Sequence, residues 1–404
     1  LHFLSDSAYV TGIFSDYLLL KFYASELAVW LYVISVAVLL KVDWKSKLKS
    51  VRTVLRKKVV LFCVILFSLV LFRQLFSAQP LVGLWNLFQW LEVPLLFFAL
   101  YQHWQLNKQQ FLPVFRVAIL CSLAFQSIVG IGQFLRQSSW FGFAFFGEPS
   151  LGSALNLAKI STQSGAELVL PYGTTAHPNV LGGYIAVFLS ILIWIRDQAG
   201  GRSKFFIHFS RFLLGVITVF CTHSITAATT VLSGVFIKKL KPFTERFNFK
   251  PLFVFMLIAA AFLLLPLAES NPDSVSMSRR IWLQLAAVQI VGHNLLIGTG
   301  LGQFTTQLIQ YTDNPDVWHF LQPVHSAFWL IASETGIIGV AFLTNLWLLL
   351  KKNQRNLVLL TGVVLWAPLL FDHYLVTLQP GRWLLALTLF GLVISRKAKL
   401  TASA

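Results

Sequence analysis

Apolar runs of nearly twenty residues recur along the whole chain, and they decide most of what it can fold into. A helix rising 1.5 Å per residue needs about 20 apolar residues to cross a hydrocarbon core roughly 30 Å thick. Inside lipid every backbone N–H and C=O must be satisfied internally, so the choice is between helices and closed barrels. The alternating pattern of barrel strands is absent. Composition agrees: of 404 residues 56% are hydrophobic, 37 are Phe and 13 Trp, and only 15 are acidic. No soluble domain of this size needs so many apolar residues.

Hydropathy places helices near 24–41, 59–76, 81–101, 113–135, 179–195, 205–222, 225–238, 251–267, 327–350, 356–371 and 383–395. The expected fold class is all-α, a polytopic transmembrane helical bundle of about eleven helices forming a single integral membrane domain over 1–404. Cys63, Cys121 and Cys221 fall inside these runs, so neither a disulfide nor a metal site is expected from them.

The net charge of +17 does not signal a nucleic-acid partner, because the basic residues sit in short clusters between apolar runs, as membrane topology requires. Of the 32 Lys and Arg, 25 lie in one alternating set of connections, including eight in "KVDWKSKLKSVRTVLRKK". The other set holds seven: Lys21, Arg73, Arg136, Lys159, Arg279, Arg280 and Arg382. This bias places residues 1–23 outside and the C-terminus inside. An outside start at Leu1, with no Met, implies a further helix upstream and about twelve in the full protein.

Two connections on the outer side are long, 136–178 and 268–326, and both are rich in Trp, Phe, Ile and Leu. Long loops of that composition are functional rather than disordered. In the second, 278–290 reads as an amphipathic helix lying on the membrane surface, with Ile281, Trp282, Leu285 and Val288 as its apolar stripe. Ser276 or Ser278 is its expected cap. Arg279 and Arg280 in its first turn have two readings, anchors on lipid phosphates or a diphosphate clamp that uses the guanidinium fork. "GTGLGQF" puts Gly298, Gly300 and Gly302 at alternate positions, a turn rather than a dinucleotide fingerprint. "DNPD" at 313–316 reads as a turn.

His325 and Ser326 then open a membrane helix that contains Glu334, Gly336 and Gly339. The glycines are expected to permit close helix contact. A carboxylate within a span is a functional or paired group by default. Histidine titrates near neutrality in general, so His325 reads either as an interfacial residue or as a base. His177, ahead of Pro178 and Asn179, reads as interfacial packing at a helix start or as a substrate contact. Asp372 and His373 at the last outer turn are expected to orient a substrate or each other.

On these residues the chain resembles the O-antigen ligase and polymerase superfamily. That family's signature is His followed by Asn, Ser or Gln, nine residues, then Gly-x-x-Gly. His325, Ser326, Ala327 to Thr335, Gly336 and Gly339 satisfy it. The Arg…Trp helix with "LIGTGLGQF", "YGTTAHPNVLGGY" (172–184) and "FDHYLVTLQPG" (371–381) resemble further segments in the family's order. The resemblance implies a GT-C-like bundle and a lipopolysaccharide-type glycosyltransferase of the bacterial cytoplasmic membrane, with its site facing outward. The implied donor is an undecaprenyl-diphosphate-linked glycan, the acceptor a lipid, glycan or protein hydroxyl, and no cofactor or metal is required. His325 would be the base and Arg280 or Arg279 would hold the donor, with Ser326, Glu334, His223, His177, Asp372 and His373 as supporting residues. The chain departs from the family at Ile225 and Leu170, where arginines are usual or frequent, and His223 is the nearby substitute for the first. A transporter or flippase for lipid-linked saccharides and a diverged non-catalytic relative are the alternatives. The spans, nearly free of charge, favour the enzyme over the transporter.

Overall fold

The computed structural model describes residues 2–3, 8–40, 58–140, 142, 146–151, 157–195, 202–244 and 275–400. It is mostly helical. The helix expected at 251–267 and the basic segment before Lys58 lie outside the described residues. In chain order the helices are α1 (Ala24–Leu39), α2 (Lys58–Leu75), α3 (Pro80–Leu106), α4 (Lys108–Arg136), α5 (Pro178–Trp194), α6 (Arg202–Cys221) and α7 (Ile225–Thr244). After the gap come α8 (Val275–His293), α9 (Phe304–Tyr311), α10 (Pro315–Trp318), α11 (Ala327–Leu349), α12 (Lys352–Val364), α13 (Trp366–Phe371), α14 (Tyr374–Thr377) and α15 (Gln379–Leu400). Among the described residues α2, α3, α4 and α11 are long and apolar enough to cross a membrane.

The sequence expectations for 24–41 through 225–238 and for 327–350 each meet a helix. The run at 356–371 does not stay whole, since helical pairing stops at Leu365 between α12 and α13. Hydropathy averaged over a span is blind to the breaks in α11 and between α12 and α13, because the helical turns that flank them are apolar. Three short antiparallel pairs, His2–Phe3 with Leu20–Lys21, Tyr9–Val10 with Ile13–Phe14, and Lys159–Ser161 with Glu167–Val169, decorate the connections.

The chain forms two compact units. One comprises 103–248, 360–368 and 387–404. In it α5 packs on α7 and α4 packs on α6. Small residues set the first approach: a Cβ added at Gly182 would stand 2.9 Å from the Ala227 methyl, and Gly234 faces Ser190. Such contacts let helix backbones close on each other without a hydrophobic drive between them. Within this unit His177 caps α5, its Nδ1 accepting the Asn179 N–H at 3.1 Å, with Pro178 at the first helical position. His223 sits exposed at the turn into α7 in a left-handed conformation (φ 50°). Ile225 next to it is exposed and Leu170 is buried.

The other unit comprises 1–102, 249–359 and 369–386. Here α11 packs along α2 and against α8. A buried cluster joins Leu283, Ala287 and Ile290 of α8 to Phe304 and Leu308 of α9 and to Val324, Ala327 and Leu330 around the start of α11. The face of α8 buried in protein is Leu283, Ala286, Ala287 and Ile290. Trp282, Leu285 and Val288 are 41%, 40% and 39% exposed. The apolar stripe expected from the sequence therefore has Trp282, Leu285 and Val288 turned away from the protein, the side that a helix on a membrane surface gives to lipid. The helix also starts at Val275, so Ser276 and Ser278 lie inside it and the arginines lie past its first turn.

Candidate active site

All the residues of this site lie in the unit that contains α8 and α11. Its frame is a break in a helix. α11 runs regularly from Ala327 to Thr335, then Gly336 adopts φ 59°, ψ −164°. The carbonyls and amides released there are taken up by the glycine loop before α9. Thr299 N–H donates to Ser333 O and Gly300 N–H to Glu334 O, both at 2.9 Å, and Ile337 N–H donates to Leu295 O at 2.8 Å. This pairing works like a strand laid on the opened helix. It requires glycine: Gly298, Gly300 and Gly302 all have positive φ, and a Cβ on Gly336 would stand 2.6 Å from Leu296 O. The expectation of a turn in "GTGLGQF" holds, and its purpose is now visible. Gly336 does not serve close packing of two intact helices, as expected, but the break itself.

Polar side chains of α2 and the following turn clamp the same loop. Arg73 donates to Gly298 O at 2.9 Å, Gln74 accepts from Leu301 N–H at 2.8 Å, and the Gln303 amide pairs with the backbone of Gln79. Arg73, one of the few outer-set cations, is thereby committed to structure.

His325 precedes Ser326, the N-cap of α11, whose hydroxyl is buried and makes no hydrogen bond among the described residues. Across from it, Asp372 and His373 occupy the interruption between α13 and α14. One donor atom from each of His325, Asp372 and His373 lies within 4.8 Å of the others. The His325 and His373 rings are 4.9 Å apart, and Tyr17 meets His373 edge-on at 5.2 Å. Asp372 and His373 are each 5% exposed, and Asp372 Oδ1 accepts the His373 N–H at 2.8 Å. Burial, followed by the nearby carboxylates of Asp16 and Asp372, pushes the Tyr17 phenol well above its ordinary range, so it remains protonated at neutral pH. Residues 47 apart in sequence thus form one cluster, in which the Asp372 carboxylate holds the His373 backbone N–H.

Next to the cluster is a cavity of about 20 Å³, lined among others by Tyr17, Asn86, Trp90, Thr305, Glu334 and Arg382. That is room for one or two waters. Thr305 is 1% exposed and its hydroxyl has no hydrogen-bond partner among the described residues. Glu334 accepts the Phe304 N–H at 3.4 Å. Arg382, 1% exposed, donates to Val376 O at 2.6 Å, Gln89 Oε1 at 2.9 Å and Asn86 Oδ1, and lies 5.2 Å over the Trp90 ring. It interacts electrostatically with Glu334, Glu26 and Glu92. Glu26 accepts from Gln89 at 2.6 Å, while Glu92 accepts from Trp30 at 2.7 Å, from Trp383 at 3.0 Å and from Gln379.

The few charges within the spans are gathered rather than scattered: Glu92 and Glu334 lie within α3 and α11 and both interact with the buried Arg382. Each charge looks isolated when the helices are read one at a time. Arg382 itself carried a signal, as it directly follows the "FDHYLVTLQPG" segment. Arg279 and Arg280 are half-buried on α8, and the Arg279 guanidinium lies 5.2 Å over the Phe320 ring. The one-turn helix α10 begins inside "DNPD".

Compared with known proteins, the chain matches no family model and no curated relative.

Proposed function

We propose that the chain is a membrane glycosyltransferase of the O-antigen ligase and polymerase type, with its site on the outer face of a bacterial cytoplasmic membrane. The carrying observation is the convergence of His325, Asp372 and His373, with donor atoms within 4.8 Å, at a helix start held by the loop–helix pairing around Gly336. Two segments that resemble the family separately in sequence supply these three residues.

In this reading neutral His325 takes the proton of an acceptor hydroxyl. The oxygen attacks the anomeric carbon of the lipid-linked sugar, the bond from that carbon to the diphosphate oxygen breaks, and undecaprenyl diphosphate leaves with the electron pair. Asp372 stabilises the imidazolium that forms. Arg279 and Arg280 hold the diphosphate as its charge develops, the role suited to guanidinium forks. Arg382 contributes the buried positive charge that keeps Glu334 and its neighbours compensated.

A second reading, translocation of a lipid-linked saccharide, is favoured by one observation: the buried group of Arg382 with Glu26, Glu92 and Glu334, since ionisable residues at membrane depth mark transport paths. Reconstitution in vesicles with a fluorescent lipid-diphosphate glycan separates the two. Transfer predicts a new acceptor–glycan product and stoichiometric release of undecaprenyl diphosphate. Donor crossing the bilayer with no product identifies the second reading instead.

A further inference from the structure

We propose that His325, Asp372 and His373 form a binding site for a divalent transition ion of the zinc type. The donor set is two imidazoles and one carboxylate, a combination that suits Zn²⁺ with its fourth position open to water. It does not suit Mg²⁺ or Ca²⁺, which demand six or more oxygens. Three donors at zinc distances stand about 3.4 Å from one another. The three here, all within 4.8 Å, need close by no more than about 1.4 Å, within reach of side-chain rotation.

The surroundings prepare the ligands. Thr377 Oγ1 donates its single proton to the His373 carbonyl at 3.2 Å. The same hydroxyl lies 2.9 Å from His373 Nδ1 and holds the ring in place. A hydrogen bond at one ring nitrogen is the means by which a metal-bound histidine is oriented. Asp372 Oδ1 accepts the His373 N–H, which fixes the carboxylate against the start of α14. The backbone is fixed on both sides, by α13 and α14 around Asp372 and His373 and by the N-cap of α11 after His325.

The ion has a consequence for catalysis, which rests on the transfer reading above. Coordination consumes the His325 lone pair that would accept the acceptor's proton, so bound Zn²⁺ inhibits transfer.

The test is titration of the purified full chain in detergent, its affinity tag removed, with Zn²⁺ and separately with Co²⁺. The expected result is one ion per chain and a Co²⁺ absorption spectrum typical of four- or five-coordination. His373→Ala and Asp372→Asn should each weaken binding by at least about 10-fold, the loss seen even on removing outer-sphere partners. His319→Ala, at an exposed position, should bind as the wild type does. Absence of saturable binding, or unchanged affinity in folded His373→Ala, overturns the site. If both variants fail to fold, modification of the wild type by diethyl pyrocarbonate decides: saturating Zn²⁺ protects His325 and His373, and equal modification with and without Zn²⁺ overturns the site. Transfer that persists undiminished with the ion bound overturns the inhibitory role. Transfer absent both with and without Zn²⁺ counts against the transfer reading, while the titration still decides the metal site.

Discussion

At the residue scale the unit around α11 is organised by two buried polar groups with different tasks. The His325 cluster gathers two imidazoles and a carboxylate, while Arg382 has most of its donors committed to backbone and amide oxygens. Removing Arg382 strands three carboxylates in a low-dielectric setting. Arg382→Met is expected to destabilise the chain by about 3–5 kcal/mol, the cost of leaving a buried charge without its partner. A clear drop in thermal stability in detergent checks this, and an unchanged midpoint would show that the carboxylates are compensated from elsewhere. Arg382→Lys should recover only part of the loss, because a point charge cannot reach Val376 O, Gln89 and Asn86 together as a planar fork does. Ser326→Ala, by contrast, should be nearly silent for stability, since its hydroxyl makes no cap bond.

At the scale of elements the broken helix carries the site. Gly336→Ala forces a side chain into φ 59° and against Leu296 O. Such strain costs about 1–3 kcal/mol, and transfer should fall with stability as the glycine loop lifts from α11. Gly292→Ala is the matched control, because a Cβ there meets nothing within 4 Å. In the last turn of α8 it should be neutral or stabilise by at most about 0.5–1 kcal/mol. Thermal midpoints of the two variants, measured side by side, test the contrast. The helices themselves were legible in sequence because a membrane span is written in hydropathy, and hydropathy is local. The break at Gly336 was not, since Gly-x-x-Gly within an apolar run signals close helix packing just as well. The protein-facing side of α8 was hidden for a related reason: Ala286 and Ala287 add little to a hydropathy pattern. The pairing of His325 with Asp372 and His373 is a tertiary fact, which sequence order could only hint at through neighbouring motifs.

At the scale of the whole molecule, the alternating Lys and Arg bias predicts that the tip of the hairpin around Ser164 faces outward and the connection around Asn353 faces the cytoplasm. Both positions are exposed. In a background lacking Cys63, Cys121 and Cys221, an impermeant thiol reagent applied to intact cells should label Ser164→Cys and spare Asn353→Cys. The reverse pattern would put the His325 cluster on the wrong side for a lipid-linked donor displayed outside. The most direct measurement is glycan transfer by purified wild type and His325→Ala reconstituted together with a polyprenyl-diphosphate glycan and acceptor, at matched folded protein. Loss of a general base lowers the rate by about 10²–10⁴-fold, so transfer should fall to near the background while the variant keeps its thermal midpoint. Transfer by His325→Ala at the wild-type rate would contradict the assignment of His325 as the base and, with it, the placement of the active site at this cluster.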